Sequence, residues 1–172
     1  MGPGALRTLR WASLWAMPHY LFNLTKPAAA EVPWLRDHAA RRLRVGMRGV
    51  DAGEPHRDSL APGDLVLIYL ADPHRAFVGR AELASAVHEW TPSEAREYPG
   101  DSRDGVLLSD VEEWDKAPLM ETVLPRIDPD GSNPYVQANA RDGFRNGVVR
   151  ITAAEYETVL AVRAEERTRG DR

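Results

Sequence analysis

Cysteine is absent from all 172 residues of the chain. That excludes a disulfide framework and thiolate-bound metal, and it makes a reducing, cytoplasmic setting the default expectation. Long apolar runs are missing too: nothing approaches the roughly 20 residues that cross a bilayer, so the chain reads as soluble, with no membrane partner. Catalytic signatures are scarce. There is no phosphate-cradling glycine loop, no GxSxG elbow and no HExxH pair, and His19, His38, His56, His74 and His88 show no helical ligand spacing. His56 near Asp51 and Asp58, and His74 after Asp72-Pro73, sit where histidines are ordinarily solvent-exposed or bonded within a turn. No metal and no cofactor is expected.

What the chain does contain fits one domain of ordinary size, expected as a monomer. Residues 1–16, MGPGALRTLRWASLWA, hold no signal-type apolar core because Arg10 and Trp11 split them. With Met17 standing directly before the first strand-like run, they are expected to be an extension outside the fold. The domain proper is expected over 17–163, followed by a polar tail over 164–172 that frays.

Charge is polarised along the chain. Lys26 to Arg48 carries six cations (Lys26, Arg36, Arg41, Arg42, Arg44, Arg48) against Glu31 and Asp37, whereas Asp101 to Asp130 carries nine acids against three bases. A basic segment within an acidic protein, of net charge −4, is what a polyanion-binding face requires, because its cations displace counterions from phosphates. The alternative is a solvated helix face.

The elements follow from local pattern. Residues 19–24 form a β-type run, and Leu35, Ala39 and Leu43 set a four-residue stripe on a helix from about Pro33 to Leu43. Gly46, Gly49, Gly53, Pro55 and Pro62 then mark irregular backbone. The stretch GDLVLIYLADPHRAFVGRAEL, 63–83, reads as a hairpin with Gly79 inside its second strand, where a bend, bulge or close backbone approach needs it. Gly105 to Trp114 is a strand, and Pro118 to Leu124 a short helix entered through Asp115 as its cap. Asp128 to Pro134 reads as a turn, being out of register for a calcium loop. Near Gly147 to Ile151 comes a further strand, and then a helix opened by the capping box Thr152 and Glu155, with Ile151 stapled onto Tyr156 and with Val159, Leu160 and Arg163 on its inner side. Strands outnumber helices without alternating with them, which predicts an α+β fold with a small curved sheet or barrel.

The succession MPHYLFNLTKP, helix, RVGMRG, LAPGDLVLIYL, AFVGRAELAS resembles an EVE domain of the PUA-like superfamily, a relative of the YTH domains. The resemblance runs from about Met17 to Leu160 and rests on the order and spacing of these pieces. It implies a pseudo-barrel of mixed strands with flanking helices, holding a pocket for one nucleobase, typically modified, swung out of its strand. Carried over by position, Asn23 ends the first strand, Val45-Gly46-Met47-Arg48 forms the loop after the first helix, and Leu70-Ala71 lies at the hairpin end. Relatives place a tryptophan at the position of Val45 or Gly46; in its absence Met47, Trp34 or Trp90 would supply the wall. Lys26, Arg41, Arg42, Arg44 and Arg145 would meet phosphates, so the implied partner is nucleic acid and the implied role non-catalytic.

Each of these residues also has a plainer reading. Asn23 can cap a turn, Met47 can fill a gap, Gly46 and Gly49 can serve turns alone, Trp90 can be packing, and Arg48 can decorate the surface. Some PUA-like relatives cleave RNA, which makes a small RNA-processing enzyme the alternative. A protein-docking adaptor using the acidic face is a third.

Overall fold

The computed structural model describes residues 18–24, 32–71, 74–132 and 147–171, with only the backbone for 32–35. In chain order the elements are β1 (His19–Leu24), α1 (Val32–Val45), β2 (Met47–Gly49), a 3-10 turn (Arg57–Ser59), β3 (Leu65–Leu70), β4 (Ala76–Leu83), β5 (His88–Glu89), α2 (Pro92–Glu97), β6 (Asp104–Glu113), α3 (Met120–Ile127), β7 (Val148–Ile151) and α4 (Ala153–Gly170). The strands form a mixed sheet in the order β2-β6-β4-β3-β1-β7, with β5 also paired to β6. β1 runs parallel to β3; the other pairings are antiparallel. The sheet curls into a half-barrel, the expected PUA-like α+β architecture.

Period-two alternation divides the sheet's side chains between two cores. Tyr20, Phe22 and Leu24 of β1 join Val66, Ile68 and Leu70 of β3 beneath Ala39 and Leu43 of α1. Leu21, Leu67 and Tyr69 point the other way, onto Met120 and Val123 of α3 and Tyr156, Val159 and Val162 of α4. Every residue of β1 is buried, so it is a central strand covered on both faces.

Gly79 serves both purposes expected of it. Ile68 pairs with Gly79 but Tyr69 pairs with Phe77, so Val78 is an extra residue in β4. A bulge of this kind reverses the alternation beyond it. Val78 faces the α1 core, and after the slip Ala81 and Leu83 face it as well. At Gly79 itself an added Cβ would lie 2.5 Å from the Glu112 carbonyl oxygen of β6 and 3.4 Å from a Leu43 methyl. No side chain fits where two strands and the helix converge.

Several local expectations need correction. The short helix begins at Met120, its N-cap is Leu119 with no side-chain cap bond, and Asp115 lies outside it. The polar stretch after Arg163 is helical, α4 continuing to Gly170, and Arg126 of α3 pairs with Glu165 at 2.8 Å. Val162, not foreseen, is a buried contact of α4, while Leu160 is only half-buried. The capping box forms as read, with Thr152 Oγ1 accepting from the Glu155 N–H at 3.1 Å and Glu155 Oε1 from the Thr152 N–H at 3.2 Å. Arg163 reaches the edge of the core, its guanidinium 4.8 Å over the Trp114 ring. Residues 1–16 lie outside the described residues.

His38 gives the fold a pH signature. It is buried on α1, and burial together with the neighbouring Arg42 and Arg41 pushes its pKa down from 6.5 to about 4. Between those values the unfolded chain takes up a proton that the folded chain refuses, so stability falls as pH drops from about 6.5 towards 4. His88 works in the opposite sense, its pKa raised by its bond to the Ala86 carbonyl and by Glu94. Replacing His38 by Gln isolates the first effect: the stability lost between about pH 7.5 and 5.5 should shrink by about 1 kcal/mol, read from denaturant midpoints at the two pH values.

Candidate functional site

The end of β1 meets the start of β2 around one guanidinium. Arg48 is 5% exposed. Its Nη1 donates to the Gly49 carbonyl at 2.7 Å and to both Glu54 carboxylate oxygens at 3.1 Å. Its Nη2 donates to Glu54 Oε1 at 3.1 Å, to the Gly147 carbonyl at 2.9 Å and to the Asn23 carbonyl at 3.4 Å. The guanidinium plane lies 4.7 Å from the Phe22 ring centroid. One side chain thereby fixes the exit of β1, the residue before β7 and the irregular loop after β2. Glu54 is held in turn, accepting the Asp51 N–H at 2.8 Å. Further along the loop Arg57 bonds the Val50 carbonyl and pairs with Asp104 at 2.8 Å. Arg48 is thus neither surface decoration nor, in this arrangement, a phosphate contact.

Beside this cluster lies a space of about 10 Å³ lined by Phe22, Leu24, Ala39, Arg42, Leu43, Met47, Arg48, Ile68 and Leu108. That is room for about one water, far less than a base. Its walls are apolar apart from the two arginines. The Nε atoms of Arg42 and Arg48 are buried and have no hydrogen-bond acceptor among the described residues. Burial lowers the proton affinity of Arg42, with a smaller contribution from Arg48. Its guanidinium also lies 5.6 Å from the Tyr98 ring.

The residues singled out from sequence separate into groups. Met47, Arg42 and Arg48 line the space; Asn23, between its lining residues Phe22 and Leu24, is buried but not among them, with its N–H donating to the Gly147 carbonyl at 2.9 Å. Met47 also packs against Trp90 and Tyr98 in a third small core. Trp90 is 8% exposed and donates from Nε1 to the Ser102 carbonyl at 2.9 Å, so it belongs to that core and is not among the residues lining the space. Gly46 closes α1 at φ 66°, a left-handed cap that an L side chain adopts only with strain, and an added Cβ would lie 3.0 Å from the Leu108 carbonyl. Val45 is exposed at the helix end, while Leu70 and Ala71 are buried at the hairpin end. Arg41 and Arg44, three apart on α1, stand exposed on neighbouring positions. Lys26 and Arg145 lie outside the described residues, as does the side chain of Trp34. Sequence reasoning passed over Phe22 and Glu54; the alternation of β1 could have exposed the first, whereas nothing local marks a loop glutamate as the partner of Arg48.

No family model matches the chain, and neither does any curated protein sequence. Solved structures do share its fold. The human THYN1 protein, solved in complex with DNA containing 5-methylcytosine, is 11% identical at a TM-score of 0.56, over 85% of this chain and 97% of that one. The YTH domain of Zygosaccharomyces rouxii MRB1, solved with N6-methyladenosine RNA, is 12% identical at a TM-score of 0.53, over 85% and 83%. Rpa0253 from Rhodopseudomonas palustris is 16% identical at 0.56, over 87% and 94%. At such identities the likeness is one of fold: the chain has the PUA-like architecture of the EVE and YTH domains.

The guanidinium cluster sets a stability test. Arg48→Ala removes the donor that the Glu54 carboxylate and the carbonyls of Asn23, Gly49 and Gly147 share, and should destabilise by about 3–5 kcal/mol in denaturant unfolding. Arg48→Met combined with Glu54→Gln, which removes both charges together, should cost clearly less than Arg48→Ala alone.

Proposed function

We propose that this protein is a non-catalytic reader of a modified nucleobase, taken from a nucleic-acid strand at the exit of β1. The observation that carries the proposal is the pair of buried Nε–H donors on Arg42 and Arg48, lacking acceptors among the described residues, at the wall of an apolar space next to Asn23. A buried donor without an acceptor costs roughly 1–3 kcal/mol. A ring nitrogen or carbonyl of a base would remove that cost, and the apolar wall of Phe22, Leu43 and Met47 suits a methyl group. Extruding a base costs a few kcal/mol of stacking, which edge hydrogen bonds and apolar contact offset.

The complexes of two fold neighbours with 5-methylcytosine DNA and N6-methyladenosine RNA support the same reading. The space of about 10 Å³ must widen to admit a base. Arg48 is the positioning residue in this scheme, holding Asn23 and Gly147 in register. Phosphate attraction falls to Arg41 and Arg44, joined by Lys26 and Arg145. Arg80, Arg103 and Arg126, by contrast, are paired with carboxylates.

Fluorescence anisotropy with labelled single-stranded oligonucleotides, plain or carrying 5-methylcytosine or N6-methyladenine, tests the proposal. At least one modified probe should bind about tenfold tighter than its plain counterpart and remain uncleaved. Arg41→Ala with Arg44→Ala should weaken all probes alike and lower the salt slope by about 1–2. Arg42→Lys, which keeps the charge and removes Nε, should erase the preference for the modified base. Equal binding of all probes would leave a general nucleic-acid binder, and cleavage would favour the RNA-processing alternative.

A further inference from the structure

The α4 face of the sheet holds a larger opening, a cleft of about 500 Å³ between the amino-terminal half of α4 and the starts of β1 and β3. That volume falls within the roughly 300–1,000 Å³ of small-molecule sites. Its apolar walls are Leu65 and Leu160. Arg80 lines it too, but its Nε donates to Glu112 at 2.8 Å, and Glu112 also receives Arg163 at 2.9 Å. Glu112 is shared by the two guanidiniums and offsets one of their two charges, so the acids around the cleft still outnumber its cations.

Three further lining carboxylates are not matched. Glu82 on β4, Asp110 on β6 and Glu157 on α4 border the cleft, and none has a cation partner among the described residues. Asp110 sits at φ 47°, where the β4–β6 register slips between Arg80 and Glu82. Among the described residues no three histidines, aspartates or glutamates converge closely enough to hold a metal ion. The charges are spread around an apolar trough, so a point cation cannot meet them together. An elongated cation can, with amino groups at the carboxylates and methylenes over Leu65 and Leu160.

We propose that this cleft binds a linear aliphatic polyamine, through Glu82, Asp110 and Glu157. The site is separate from the base-reading site on the other face, so either can fail without the other. Calorimetric titration of the full chain with spermidine should show saturable one-to-one binding that equimolar magnesium does not displace. Glu82→Gln with Asp110→Asn should weaken it about tenfold, asparagine being chosen because it tolerates the left-handed backbone. Glu113→Gln with Asp115→Asn, which removes the same charge beside Lys116 and Arg167, should leave it unchanged. Should the first double variant not fold, Leu160→Trp, which fills the trough, should abolish binding while oligonucleotide binding persists. Equal weakening by both double variants, displacement by magnesium, or spermidine binding undiminished by Leu160→Trp would overturn the proposal, since each marks diffuse counterion association. Absence of saturable binding would overturn it too.

Discussion

The guanidinium of Arg48 is the constraint on which this architecture turns. A half-barrel has a seam where its strands diverge, and the strand ends there need ties beyond the sheet ladder. Here those ends are Asn23 at the exit of β1, Gly49 at the end of β2 and Gly147 before β7, and one planar side chain donates to all three carbonyls while paired with Glu54. Lysine could not do this from a single ammonium, because the contacts are spread around a fork and a flat face rests on Phe22. The arrangement also explains why the long loop after β2 can be irregular and still ordered. Its glutamate is held from inside the protein.

The second constraint is the bulge in β4. Without the extra residue at Val78, the alternation that buries Phe77 against the α3–α4 core would send Ala81 and Leu83 to the same side and leave the α1 core open. With it, one strand serves both cores in succession, and the sheet curves at the place where Leu43 of α1 comes nearest the strand backbone. The β4–β6 pairing shifts again between Arg80 and Glu82. Here the extra residue lies in β6, where Asp110 takes φ 47°, and the cleft beside α4 lies where this second shift falls.

Much of this was legible in the sequence because it is encoded locally. The alternation of β1, the hairpin of 63–83, the glycine that no side chain could replace and the capping box at Thr152 each depend on residues close in the chain. What could not be read depends on partners far away. Arg48 was counted among surface cations by composition, yet its contacts lie 25 and 99 positions distant. Trp90 reads from the sequence as either packing or pocket wall, and only the fold makes it a core residue, since its hydrogen bond and its neighbours Met47 and Tyr98 come from separate segments. Asp115 satisfied a local capping rule that the chain path then left unused. Local signals specify elements well, whereas the charge state of a loop or the burial of an arginine is decided by topology.

Charge polarisation acquires a physical sense once the two faces are distinguished. The exposed arginines of α1 lie on one side of the sheet, and the unmatched acids of β4, β6 and α4 border the other. A protein of net charge −4 would repel a polyanion if its charge were spread evenly. With Glu82, Asp110 and Glu157 across the sheet, about one Debye length away at physiological salt, their repulsion of phosphates at the basic face would be screened. The same distribution leaves the opposite cleft short of cations, so the proposed affinities of one face for polyanions and of the other for organic cations would share one physical origin.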